Sequence, residues 1–197
     1  MAMKKIEELR DKFVGPKMIL FQKGDPVDLT KGTITLKPDF ELPVEVDSLK
    51  ATMDDPTINH YKVIGQAGDW ATTAELGDFN VEFVVPSKAK DLLTLMFGAD
   101  AVVDITKATV TSGYTDIDVT TGFSGEALEL TENRVGGTLA IVDKARQNIM
   151  VITNLALYCT LVWDETGTKP VAFKFAGSVE GAGVKSVAWL TKIAAGS

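Results

Sequence analysis

Apolar positions along this chain change their spacing twice. Near the start, Ile6, Leu9 and Phe13 recur at helical spacing among charged residues, and Gly15 and Pro16 stop the pattern. This predicts a short arm, residues 1–16, with one narrow apolar stripe. A stripe that thin can pack on its own domain or on a neighbour, and the pattern leaves both open. From Lys17 the period becomes two, the signature of strands with one buried face. Ile34 and Leu36 alternate with Thr33, Thr35 and Lys37; Val44 and Val46 alternate with Glu45 and Asp47. Phe79, Val81, Phe83 and Val85 alternate with Asn80, Glu82 and Val84.

Helical spacing returns once. Val85-Pro86-Ser87 ends a strand, Ser87 is placed as N-cap, Ala89, Leu92, Leu93, Met96 and Phe97 follow a helical face, and Gly98 stops it. The spacing predicts one internal helix over 87–97, too short to cover a whole sheet and so suited to plugging an edge or open end. Strand patterns then resume over 102–105, 108–111, 114–120, 127–131, 138–142, 148–153, 156–163, 171–176 and 184–190. Turn signals at Ser112-Gly113, Gly136-Gly137, Thr166-Gly167 and 181–183 divide them. The expected fold is mainly β: a β-sandwich or partly open barrel of short antiparallel strands with one flanking helix, built as a single domain over 17–197.

Two strand segments are apolar on both faces: Ile149, Met150, Val151 and Ile152, and the stretch 156–163, where Tyr158 and Val162 oppose Leu157 and Leu161. Such strands must be covered on both sides. Either a sheet and a helix sandwich them, or one face meets another subunit. On the second reading Met150, Ile152, Tyr158 and Val162 are candidate inter-subunit contacts.

Composition narrows the function. The 197 residues are 45% hydrophobic and 24% charged, values that support a packed core. A net charge of −7 argues against gripping phosphates, because nucleic-acid affinity comes from Lys and Arg neutralising the backbone. The lone Cys159 excludes an intrachain disulfide and a multi-cysteine metal cage, and its alternating apolar setting reads as an inert buried thiol. Residues 1–13 lack a signal peptide's apolar run, and no stretch approaches the roughly 20 apolar residues of a membrane helix, so synthesis in the cytoplasm is expected.

No catalytic motif emerges. His60 is the only histidine, with no nucleophile-elbow glycine pattern beside it. Walker, Rossmann and paired-histidine zinc signatures are absent from the sequence. Asp54-Asp55 before Pro56 reads as a turn, and Asp116 and Asp118 as the wet face of a strand, without the spaced acidic loop that calcium needs. Trp163 and Trp189 end apolar strands and read as core or interface, whereas Trp70 beside Gly68 and Asp69 reads as exposed. A non-enzymatic protein without cofactor or metal is expected.

One block carries a resemblance. A strand over 61–64, Gly65, a second strand, then Gly77-Asp78-Phe79-Asn80-Val81-Glu82-Phe83-Val84-Val85-Pro86-Ser87 leading into a short helix is similar to the tail tube (major tail) proteins of long-tailed bacteriophages, relatives of type VI secretion tube proteins. The C-terminal Pro170-Val171-Ala172-Phe173-Lys174-Phe175-Ala176-Gly177 also resembles the closing strand of that family. The likeness covers the order of elements over most of 17–192 and rests on pattern, without a diagnostic motif.

The resemblance implies a structural subunit that assembles into stacked homo-hexameric rings, sheets from six copies closing a barrel through which DNA passes without specific binding. It implies other tail proteins as partners, no membrane, and location in the virion tail after assembly in the host cytoplasm. The arm 1–16, with Ile6, Leu9 and Phe13, and the loop 51–59, with Asp54 and Asp55, would contact neighbours. A conduit must not adhere to its cargo, so acids suit its lining. Asp116, Asp118 and Glu129 are the candidates, with Glu45, Asp47 and Glu82 competing. The alternative is a monomeric β-sandwich binding module for a ligand such as carbohydrate, with Trp70 as platform.

Overall fold

A computed structural model describes residues 13–109, 122–163, 169–181 and 185–193. Its backbone is mainly β. The strands are β1 (Pro16–Lys23), β2 (Phe40–Glu41), β3 (Lys50–Met53), β4 (Thr57–Tyr61), β5 (Ala71–Glu75) and β6 (Phe79–Val85); after helix α1 (Lys90–Phe97) come β7 (Val102–Ala108), β8 (Phe123–Leu128), β9 (Val135–Asp143), β10 (Asn148–Val162), β11 (Ala172–Val179) and β12 (Val187–Thr191). Eight form one antiparallel sheet in the order β2-β1-β9-β10-β11-β6-β3, with β12 also on β10. The hairpins β4–β5 and β7–β8 stand apart from it. This agrees with the expected sandwich or partly open barrel with one flanking helix.

Strand β10 organises the sheet. It pairs with β9 from Ile149 to Leu157, with β12 along 148–152 and with β11 along 155–162. The two apolar runs read from the sequence are therefore one strand of 15 residues. Its register slips between Ile152 and Leu155, where Asn154 has φ 62°. That extra residue resets the alternation, so Met150 and Ile152 before it and Leu155 and Leu157 after it share the same core. Without the slip, one half would turn its apolar side chains outward.

The core packs this face against α1. Phe21, Val81, Phe83, Val85, Leu139, Phe173 and Phe175 are all buried, with Phe83 and Phe175 stacked at 4.9 Å between ring centroids. Leu92, Leu93, Leu95, Met96 and Phe97 bury one side of α1, and Phe97 meets Phe173 edge-on at 5.7 Å. The helix stops at Gly98, whose φ of 91° favours glycine and whose N–H donates to the Thr94 carbonyl. Asn133 Nδ2 donates to the carbonyls of Leu95 and Met96, which the last helical turn leaves without partners. The helix starts three residues later than expected. Ala89 is extended and takes the N-cap position, while Ser87 Oγ only accepts the Ala89 N–H at 3.3 Å.

Four other expectations need correction. The alternating segment 33–37 keeps Ile34 and Leu36 half-buried, yet enters no ladder. Val46 is 83% exposed because 45–48 is a turn closed by Ser48, whose N–H and Oγ both donate to the Glu45 carbonyl. The strand expected over 61–64 lies instead at 57–61, and Ile64 falls in the hairpin loop. Met150 and Ile152 are 7% and 0% exposed within the chain's own core, so the inter-subunit role expected for them is withdrawn. The other face of that segment is also covered from within. Thr138 and Thr153 join their hydroxyls at 3.0 Å, and the Val27 N–H donates to Thr138 Oγ1.

Candidate assembly interface

The C-terminal half of β10 runs past the end of its β9 partner. β9 begins at Val135, opposite Leu157, because residues before it turn away to cap α1. Residues 158–162 therefore overhang: β11 pairs one side, and among the described residues nothing pairs the other. β11 pairs with β6 and β6 with β3, whose outer side is likewise unpaired among the described residues. The result is a four-stranded wing, β10-β11-β6-β3, with an open edge on each side.

The peptide groups that face the first edge follow from the ladder. Glu180 N–H donates to the Asn154 carbonyl at 2.8 Å, on the β11 side. Strand alternation then turns the N–H and C=O of Ala156, Tyr158, Thr160 and Val162 toward β11, and those of Cys159 and Leu161 outward. Apolar groups accompany this edge: Tyr158 is 46%, Leu161 49%, Val162 40% and Trp163 73% exposed. Tyr158 and Val162 were singled out by sequence. Leu161 was assigned to a buried face, and the missing β9 partner, which no local pattern announces, is what uncovers it.

One face of the wing joins the core, with Ala51, Val81, Gly177 and Leu157 in one row and Phe83 and Phe175 in another. The opposite face carries the rows Lys50, Glu82, Ala176, Tyr158 and Thr52, Asn80, Ser178, Ala156. On it Glu82 is held by Lys174 at 2.6 Å and Lys50 at 2.5 Å. The hydrogen bond from Lys174, then that from Lys50, hold its carboxyl at about 2 against an ordinary 4.5. A carboxyl depressed on folding stabilises the fold above its unfolded value, and that contribution disappears as pH falls from about 4.5 to about 2. Glu82→Gln is therefore expected to flatten the acid limb of a melting-temperature profile inside this window.

The other candidates are dispersed. Ile6, Leu9, Asp116 and Asp118 lie outside the described residues. Phe13 packs edge-on against Trp189 at 5.5 Å, so the last residue of the arm's apolar stripe docks on β12 of its own chain. Asp54 and Asp55 are exposed on the link from β3 to the β4–β5 hairpin, where Asp54 Oδ2 accepts from Asn80 Nδ2 and its N–H donates to the Asp78 carbonyl. They form no tight turn, because β3 pairs with β6 and not with β4. Glu129 is exposed just past β8, with its N–H on the Ala101 carbonyl, on the α1 side and away from the outer wing face. Glu45 is engaged by Lys169 at 2.9 Å.

Hairpin β4–β5 has an apolar surface with little cover: Ile58, Tyr61, Ile64 and Trp70 are all more than half exposed. His60 lies within it, its Nδ1 2.5 Å from Asp69 Oδ2. An isolated two-stranded hairpin is marginal in water, so this one gains stability when covered. Trp163 and Trp189, at 73% and 62% exposure, are surface residues. Among the described residues no group of three or more His, Cys, Asp or Glu could hold a metal. Burial pushes the Cys159 thiol up to about 12, which keeps it protonated. A thiol reagent at neutral pH is expected to leave Cys159 unmodified in the native chain and to label it fully in denaturant.

No protein-family model matches this chain, and no curated protein matches it.

Proposed function

We propose that this chain is a structural subunit of a phage or prophage tail tube, assembling head-to-tail into stacked rings around a DNA conduit. The observation that carries this reading is the wing with its two open edges on opposite sides. Different edges joined head-to-tail make a heterologous contact, and such contacts close into rings when the rotation permits. Closure removes both unpaired edges, which in a lone chain are templates for uncontrolled association. The edges are also offset along the strands. β3 lies level with 155–158 of β10, while the overhang runs from 158 to 162. A stagger of this kind is what tilted strands need in a closed barrel.

The core face of the wing carries α1, so the bulk of the chain goes outside such a ring and the bare face inside. The exposed β4–β5 hairpin supplies apolar surface for a further neighbour, in keeping with stacking. The six-fold number and the phage setting rest on the resemblance of 60–98 and 170–177 to tail tube proteins. Size-exclusion chromatography with light scattering, followed by negative-stain microscopy of concentrated protein, tests the reading. Rings or tubes with a central opening are expected; a strictly monomeric species overturns it.

A further inference from the structure

We infer that Glu82 works as a charge clamp on the conduit wall, engaging both Lys50 and Lys174 and cutting their joint charge by half, so that the wall holds passing nucleic acid less. The inference rests on the tube reading above and concerns the chemistry of the inner face. That face also carries Val84, Tyr158 and Val162, and the rest of it includes the short neutral residues Thr52, Asn80, Ala176, Ser178 and Thr160. Its charged groups on β3, β6 and β11 are Lys50, Glu82 and Lys174. Both ammonium groups converge on one carboxylate, one on each oxygen.

Sequence reasoning placed bare acids on the lining. Of these, Asp116 and Asp118 lie outside the described residues, and the competing Glu82 sits in a paired cluster, two cations and one anion, repeated in every copy. Each lysine is 41% or more exposed and within reach of a phosphate, whereas Glu82 is 30% exposed between them. With Glu82 in place both lysines have an anion at contact distance, and a phosphate would have to displace it. With Glu82 neutral, every copy presents two unpaired cations to the channel. Phosphate contacts of that kind supply sequence-independent affinity that falls steeply with salt.

The test uses assembled particles and a short fluorescent DNA duplex of mixed sequence. Wild-type particles are expected to retain little. Glu82→Gln particles are expected to retain it, losing about tenfold of that binding between about 50 and about 200 mM salt for each pair of phosphates neutralised. The triple variant Lys50→Gln, Glu82→Gln, Lys174→Gln is expected to fall to or below the wild-type level. Ser178→Lys keeps the clamp and adds one cation to the same face, so it must also retain DNA, and this remains measurable if Glu82→Gln does not assemble. Glu82→Gln or Ser178→Lys particles that bind no more than wild type overturn the inference while leaving the tube reading intact. Failure of the wild-type chain to form rings or tubes overturns both.

Discussion

A Gly177→Ala chain is expected to lose about 3 kcal/mol of stability, seen as a melting midpoint lower by about 6–12 °C. Gly177 sits in β11 between Leu157 of β10 and Val81 of β6. A Cβ built there would lie 1.9 Å from the Ala156 carbonyl oxygen and 2.9 Å from the Leu157 Cα. Both obstacles are backbone of a strand paired on two sides at this level, so neither can swing away as a long side chain would. Relief requires separating β10 from β11, which breaks the ladder that carries the overhang. Gly125→Ala is the control, since its Cβ would meet nothing within 4 Å. Thermal unfolding of the two variants beside wild type checks this, and equal midpoints would contradict it.

Leu161→Pro is expected to abolish assembly while the monomer keeps its fold. Proline lacks the N–H that a neighbouring strand would use, and it is tolerated in strands where that N–H faces away from the ladder. Leu161 is such a position, because its peptide N–H points to the open side of 158–162 and β11 is bonded by its neighbours. Thr160→Pro deletes an N–H aimed at β11 and is expected to destabilise the monomer instead. Far-ultraviolet circular dichroism reports the fold and light scattering reports the assembly. An assembled Leu161→Pro protein would show that this edge is not an interface.

How far the sequence foretold this molecule depends on where each determinant lies. The alternation of 79–85 was legible because β6 has one core face and one polar face, and Gly98 because only a positive φ ends the helix there. The segment 33–37 has the same alternation and enters no ladder, since alternation reports burial on one side and not the presence of a partner strand. The continuity of β10 was hidden because the slip at Asn154 breaks the two-residue period, so one bulged strand reads as two. That same slip keeps Met150 and Ile152 in the core, which removed them from the candidate contacts. Tyr158 and Val162 survived as exposed edge residues for the reason first given, apolar groups on a second face. The Glu82 clamp was not legible: Lys50 and Lys174 meet it through cross-strand register, which no local spacing encodes.

The wing closing through its own two edges is tested most directly by electron cryomicroscopy of the assembled wild-type protein at side-chain resolution. The expected map shows β3 of one copy hydrogen-bonded to residues 158–162 of the next around a closed ring, with Lys50, Glu82 and Lys174 on the inner wall. A particle in which 158–162 and β3 both face solvent, or in which α1 lines the opening, would contradict it.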